Sequence, residues 1–141
     1  MKERSLEVNA AAEAAWRLWS DTATWPDWNP DVISVSLDGP LAAGASGTMT
    51  TTTRTHPIRI IGVEPGRSFQ LEARVIPLTR FVFQCEVTPL GSDSCRITQR
   101  ISVEGPAAFL LSRPMSRQIA ATFPPVLQGL KTAAERPAAV R

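Results

Sequence analysis

Trp25-Pro26-Asp27-Trp28-Asn29-Pro30 sets two tryptophans and two prolines side by side. Proline fixes φ and lacks an N–H, so a long helix cannot run through this stretch. Two indoles are also too much apolar surface for a solvated loop. The run therefore reads as a short, rigid turn that drives indoles into a core or over a cavity.

The flanking sequence has clear periodicity. Upstream, Ala12, Ala15, Trp16 and Trp19 recur at helical spacing, so Ala11 to Ser20 is expected to be a helix with one apolar face. Asn9 is the expected cap, Glu13 falls in the first turn, and Asp21-Thr22 ends the helix. Arg4 to Val8 reads as a preceding strand. Downstream the period changes to two. Ile33, Val35 and Leu37 alternate with Ser34, Ser36 and Asp38, up to Gly39-Pro40. Thr48 to Thr55 is expected to form one strand with a wet face. Ile58 to Val63 forms the next, and its apolar residues change parity midway, as at a bulge.

The cleanest signal follows Glu64-Pro65-Gly66-Arg67. Phe69, Leu71, Ala73 and Val75 make one alternating set, and Pro77 breaks the chain. Phe81, Phe83, Cys85 and Val87 make a second. Cys95, Ile97, Gln99, Ile101 and Val103 make a third. Such a pattern is an antiparallel meander covered on one side. Ala107 to about Glu135 is helical, with Pro114 and Pro124-Pro125 expected to break or kink it. A frayed tail starts at about residue 136. Helical cover on one face of an antiparallel sheet defines an α+β fold. A long helix across a curved sheet leaves room for a small-molecule cavity.

Bulk composition narrows the function classes. The length of 141 residues fits one domain, residues 1–141, with one core. Net charge is +2 and the basic residues are dispersed, so no nucleic-acid stripe is expected; Arg113 and Arg117 read as a solvated helix face. No signal-peptide pattern or membrane span stands out, so the default compartment is the cytoplasm. Cys85 and Cys95 read as buried, reduced thiols. With His56 the only histidine, no metal-ligand spacing exists, and the reading needs no cofactor.

Several segments together resemble a known family. Val8-x-Ala10, Ala15-Trp16-x-x-Trp19-Ser20-Asp21 and Trp25-Pro26-x-Trp28-Asn29-Pro30 look like the N-terminal signature of the START-like (SRPBCC) superfamily. The polyketide cyclase/dehydrase-like proteins are the most similar group. Gly62-Val63-Glu64-Pro65-Gly66-Arg67-x-Phe69 is similar to that group's strand–turn–strand, and Val103-Glu104-Gly105-Pro106 to its approach to the long helix. The resemblance spans residues 4 to 135. It implies a helix-grip fold: a curved antiparallel sheet of six to seven strands wrapped around a long C-terminal helix, with a deep, mostly apolar pocket. Members bind lipids, polyketides, hormones and other hydrophobes, and some catalyse cyclisation or dehydration.

Candidate site residues follow from parity and from this resemblance. Gln99 lies on an apolar strand face and needs a partner, either a pocket ligand or water, or a neighbouring side chain. His56 is either a loop histidine or a general base with no carboxylate nearby in sequence. Thr51 and Thr53 share the parity of Met49, which faces either the pocket or water. Asp27 and Asn29 either cap the short turn or, for Asn29, point into the pocket beside Trp28. Glu72, Arg74, Glu86 and Arg100 are expected to form cross-strand salt links on a solvated face. The resemblance places the segments of Trp28, Phe83, Phe109 and Phe123 around the cavity. No triad, metal site or carboxylate pair is evident.

The leading expectation is a domain that binds a small hydrophobic or aromatic molecule, through Trp28, Asn29, Met49, Thr51, His56, Phe83, Gln99, Phe109 and Phe123. The alternatives are a polyketide aromatase/cyclase or dehydratase, and a protein-interaction module. A monomer or weak homodimer is expected.

Overall fold

A computed structural model describes residues 2–74, 78–106 and 108–136, excepting the side chains of residues 108, 109, 111 and 112. In chain order the elements are β1 (Lys2–Val8), α1 (Ala12–Ser20), a 3₁₀ turn (Thr22–Thr24), α2 (Trp25–Trp28), β2 (Val32–Leu37), β3 (Ser46–Thr51), β4 (Thr55–Glu64), β5 (Ser68–Ala73), β6 (Arg80–Gly91), β7 (Ser94–Glu104), α3 (Ala108–Ala120) and α4 (Phe123–Ala134). The strands form one antiparallel sheet in the order β1-β7-β6-β5-β4-β3-β2. α3 and α4 pack against β1 and β7, while α1 and α2 pack on α4. This is the helix-grip arrangement.

The β5–β7 meander pairs as its alternation predicts: Leu71 opposite Phe83 and Phe83 opposite Ile101. Phe69, Leu71, Ala73, Phe81, Cys85, Val87, Cys95, Ile97, Ile101 and Val103 are buried. The parity change in β4 is a register shift between Ile60 and Gly62. Both cysteines are buried and free. Cys95 lies opposite Pro89 and Cys85 opposite Gln99, so the thiols are not cross-strand partners. The assignment of Val75 and Pro77 lies outside the described residues.

Five local expectations are corrected. Thr48 to Thr55 is not one strand: the chain leaves β3 at Thr51, turns, and re-enters at Thr55. Thr51 closes that turn, its N–H donating to the Arg54 carbonyl at 2.8 Å. Ile33 is exposed, because a register shift between Val32 and Ser34 turns Val32 inward instead. Asn9 does not cap α1, which starts after Ala11 without a side-chain cap. Its N–H instead donates to Glu135 Oε2 at 2.8 Å. Neither Asp27 nor Asn29 caps the start of α2: Asp27 lies within its first turn, and Asn29 follows its last residue, where Asn29 Oδ1 accepts the Asp31 N–H at 2.9 Å. Glu72 is buried rather than solvated, because Arg74 and Arg80 close over its carboxylate. The other links are exposed to half-buried, with Arg100 bridging Glu3 and Glu86, each at 2.9 Å.

The C-terminal segment is two helices. α3 carries Pro114 within it, and the break falls at residues 121–122. Pro124 and Pro125 then stand in the first turn of α4, where N–H groups have no intrahelical acceptor to lose. From there Phe123, Val126, Leu127, Leu130 and Ala134 form one buried face. Gly129 lets α4 pass against the end of α2: a Cβ there would lie 1.9 Å from the Trp28 carbonyl oxygen.

Candidate functional site: an aromatic cavity between sheet and helix

The turn read from the sequence builds one wall of a cavity. Asp21 accepts the Ala23 N–H and starts the 3₁₀ turn, and α2 follows without interruption. Trp25 and Trp28 are both buried. Their polar edges are already satisfied. Trp25 Nε1 donates to the Trp19 carbonyl at 3.0 Å, and Trp28 Nε1 to Thr24 Oγ1 at 3.2 Å. The indoles are thus held in place and offer only apolar faces. Phe69 anchors them, stacked on Trp25 at 5.9 Å and edge-on to Trp19 at 5.9 Å. On the helix side Phe123 meets Phe83 edge-on at 6.3 Å.

Between these walls lies a cavity of about 170 Å³. Trp28, Asn29, Met49, Thr51, His56, Phe83, Gln99 and Phe123 all line it. The side chain of Phe109 lies outside the described residues. Thr53 sits in the β3–β4 turn, its hydroxyl 3.3 Å from that of Thr51. Trp25, one of the indoles expected in a core or over a cavity, lines it, and so do Trp19, Asp31, Cys85, Ile119 and Thr122, which the sequence did not place there. Trp19 carried the signal of a large apolar residue beside the turn. Asp31 carried none, since its position depends on how the chain leaves α2.

The polar groups of the lining fall into two sets. Some are spent on the protein: Thr51 Oγ1 donates to the Arg54 carbonyl at 3.2 Å, and Thr122 Oγ1 to the Ile119 carbonyl at 2.7 Å. Others are free. The Gln99 amide, the Asp31 carboxylate and the His56 ring have no side-chain hydrogen bond or ion pair among the described residues, and His56 Nδ1 is buried. Burial first, and then the neighbouring Arg54 charge, hold the His56 pKa below its ordinary 6.5. His56 is therefore neutral at neutral pH. Burial pushes the Cys85 thiol up to about 12, so it is no nucleophile at neutral pH. Among the described residues no three His, Cys, Asp or Glu side chains group as a metal site.

The family model for polyketide cyclase/dehydrase and lipid transport proteins matches residues 3–135. The chain belongs to this family. No curated protein matches it significantly. Solved structures with the same fold include truncated norcoclaurine synthase from Thalictrum flavum, at a TM-score of 0.73 and 16% identity, covering 96% of this chain and 93% of that one. A protein from Thermobifida fusca gives a TM-score of 0.71 at 22% identity over 95% of this chain and 90% of its own. The di-domain ARO/CYC BexL of the BE-7585A biosynthetic pathway gives 0.70 at 16% identity over 96% of this chain and 50% of its own. At these identities the likeness establishes the fold. For this polyketide cyclase/dehydrase-family chain, ligand binding or cyclase chemistry is the function class supported. No helix among the described residues is long and apolar enough to cross a membrane.

Proposed function

We propose that the chain binds a small, mostly apolar molecule in the cavity between its sheet and α4. The observation that carries this reading is an aromatic-walled cavity whose indole N–H groups are spent while Gln99, His56 and Asp31 stay unpaired. Of these, His56 Nδ1 is fully buried without a partner among the described residues, which costs about 1–3 kcal/mol, so a ligand that supplies one recovers that energy as specificity. Affinity comes from apolar burial, at about 25 cal/mol per Å². Trp28, Asn29, Met49, Thr51, His56, Phe83, Gln99 and Phe123 are the proposed contacts.

Cyclase or dehydratase chemistry is the second reading, favoured by one observation: His56 lines the cavity in its neutral form, able to accept a proton.

Thermal unfolding against a panel of apolar and aromatic compounds tests the binding role, because a ligand of the native state raises the melting temperature by mass action. A dose-dependent rise with a chemically related subset is expected. A flat panel contradicts the proposal. Turnover of the stabilising compounds that is lost in His56→Ala, with binding retained, supports the second reading.

A further inference from the structure

The geometry points to a ligand class: a single-ring aromatic bearing a protonated amine, its ring against the tryptophan wall and its ammonium group on Asp31. This inference rests on the binding role proposed above and narrows it.

Size comes first. A dry apolar cavity of about 150 Å³ holds one benzene ring. The cavity here is about 170 Å³, room for one ring with a short substituent. The walls favour a ring over an aliphatic group of equal volume: Trp25, Trp28, Phe69, Phe83 and Phe123 surround the space, and aromatic pairs gain from offset or edge-on packing.

Charge then sets the polar end. Among the described residues no Lys or Arg lines the cavity, so nothing there pairs with a carboxylate or phosphate. Arg54, whose charge acts on His56, is exposed on the β3–β4 turn. Asp31 is the one carboxylate in the lining, and it has neither an ion pair nor a side-chain hydrogen bond among the described residues. Asn29, which also lines the cavity, orders the loop here, its Oδ1 accepting the Asp31 N–H at 2.9 Å. Trp28, fixed by its bond to Thr24, adds an aromatic face that attracts a cation.

A matched set tests this directly: phenethylamine, 2-phenylethanol and phenylacetate, titrated near neutral pH into the wild-type chain and into Asp31→Asn, followed by tryptophan fluorescence. The amine should bind at least about tenfold more tightly than the alcohol, and the acid most weakly. Asp31→Asn should erase the amine's advantage over the alcohol. Added salt should weaken the amine and spare the alcohol, a readout that needs no variant. The inference is overturned if the alcohol binds and the amine gains nothing over it, or if Asp31→Asn keeps the amine's advantage. If none of the three compounds binds, the binding role for such ligands falls with it.

Discussion

Three indoles converge on Phe69, with ring centroids 6.4 Å away for Trp16 and 5.9 Å for Trp19 and Trp25. This residue links α1 and α2 to the sheet. Phe69→Ala should cost about 3–5 kcal/mol, read as a lower urea midpoint at unchanged slope. His56 sets a pH dependence. Its folded pKa lies below the ordinary 6.5, so the folded state binds fewer protons than the unfolded chain. The associated stability is complete above about 6.5 and is lost as pH falls through the lowered value. Urea midpoints at about pH 8 and about pH 5 should differ in the wild type, and His56→Gln should remove most of that difference. An unchanged difference would mean that His56 is not the titrating group. At this scale parity put Gln99 on the covered face of its strand and the resemblance put the segment of Phe83 at the cavity, and both line it. The sequence was silent for Asp31, because only the geometry of the α2–β2 connection brings that side chain to the cavity.

Among the elements, α4 is held midway and at its C-terminal end. Midway, Gly129 touches the Trp28 carbonyl. Gly129→Ala gains about 1 kcal/mol in helix propensity but must push α4 from α2, so a net loss of about 1–3 kcal/mol is expected in chemical denaturation. The same displacement moves Trp28 and should weaken ligand binding. At its C-terminal end, Glu135 accepts the Asn9 N–H and pairs with Lys131. The Lys131 hydrogen bond and then the Asn9 N–H hold the Glu135 carboxyl below its ordinary 4.5. The stability it contributes is therefore present above about 4.5 and lost as pH falls through the depressed value. Glu135→Gln should flatten the acid limb of the stability profile there, and an identical limb would contradict the clip. The β5–β7 strands were legible because each alternates over a covered sheet face. The threonine hairpin was not: with Thr on both faces, nothing in residues 50–55 marks the turn. The two-helix end was half legible. Proline announces an interruption, yet the pair opens α4 instead of kinking a continuous helix, since prolines are tolerated where N–H groups lack acceptors.

For the molecule as a whole, the sheet and α4 enclose a small aromatic cavity with a few unpaired polar groups at its lining. The family makes ligand binding or cyclase chemistry the class of function, and we propose that the cavity's charge chooses among ligands. Amide chemical-shift mapping during titration with phenethylamine tests this account most directly. Dose-dependent shifts should cluster at Trp28–Asp31, Thr51–His56, Gln99 and Phe123, and leave the salt-linked outer face at Glu3, Glu86 and Arg100 still. Shifts confined to that outer face, or none at concentrations that saturate comparable cavities, would contradict it.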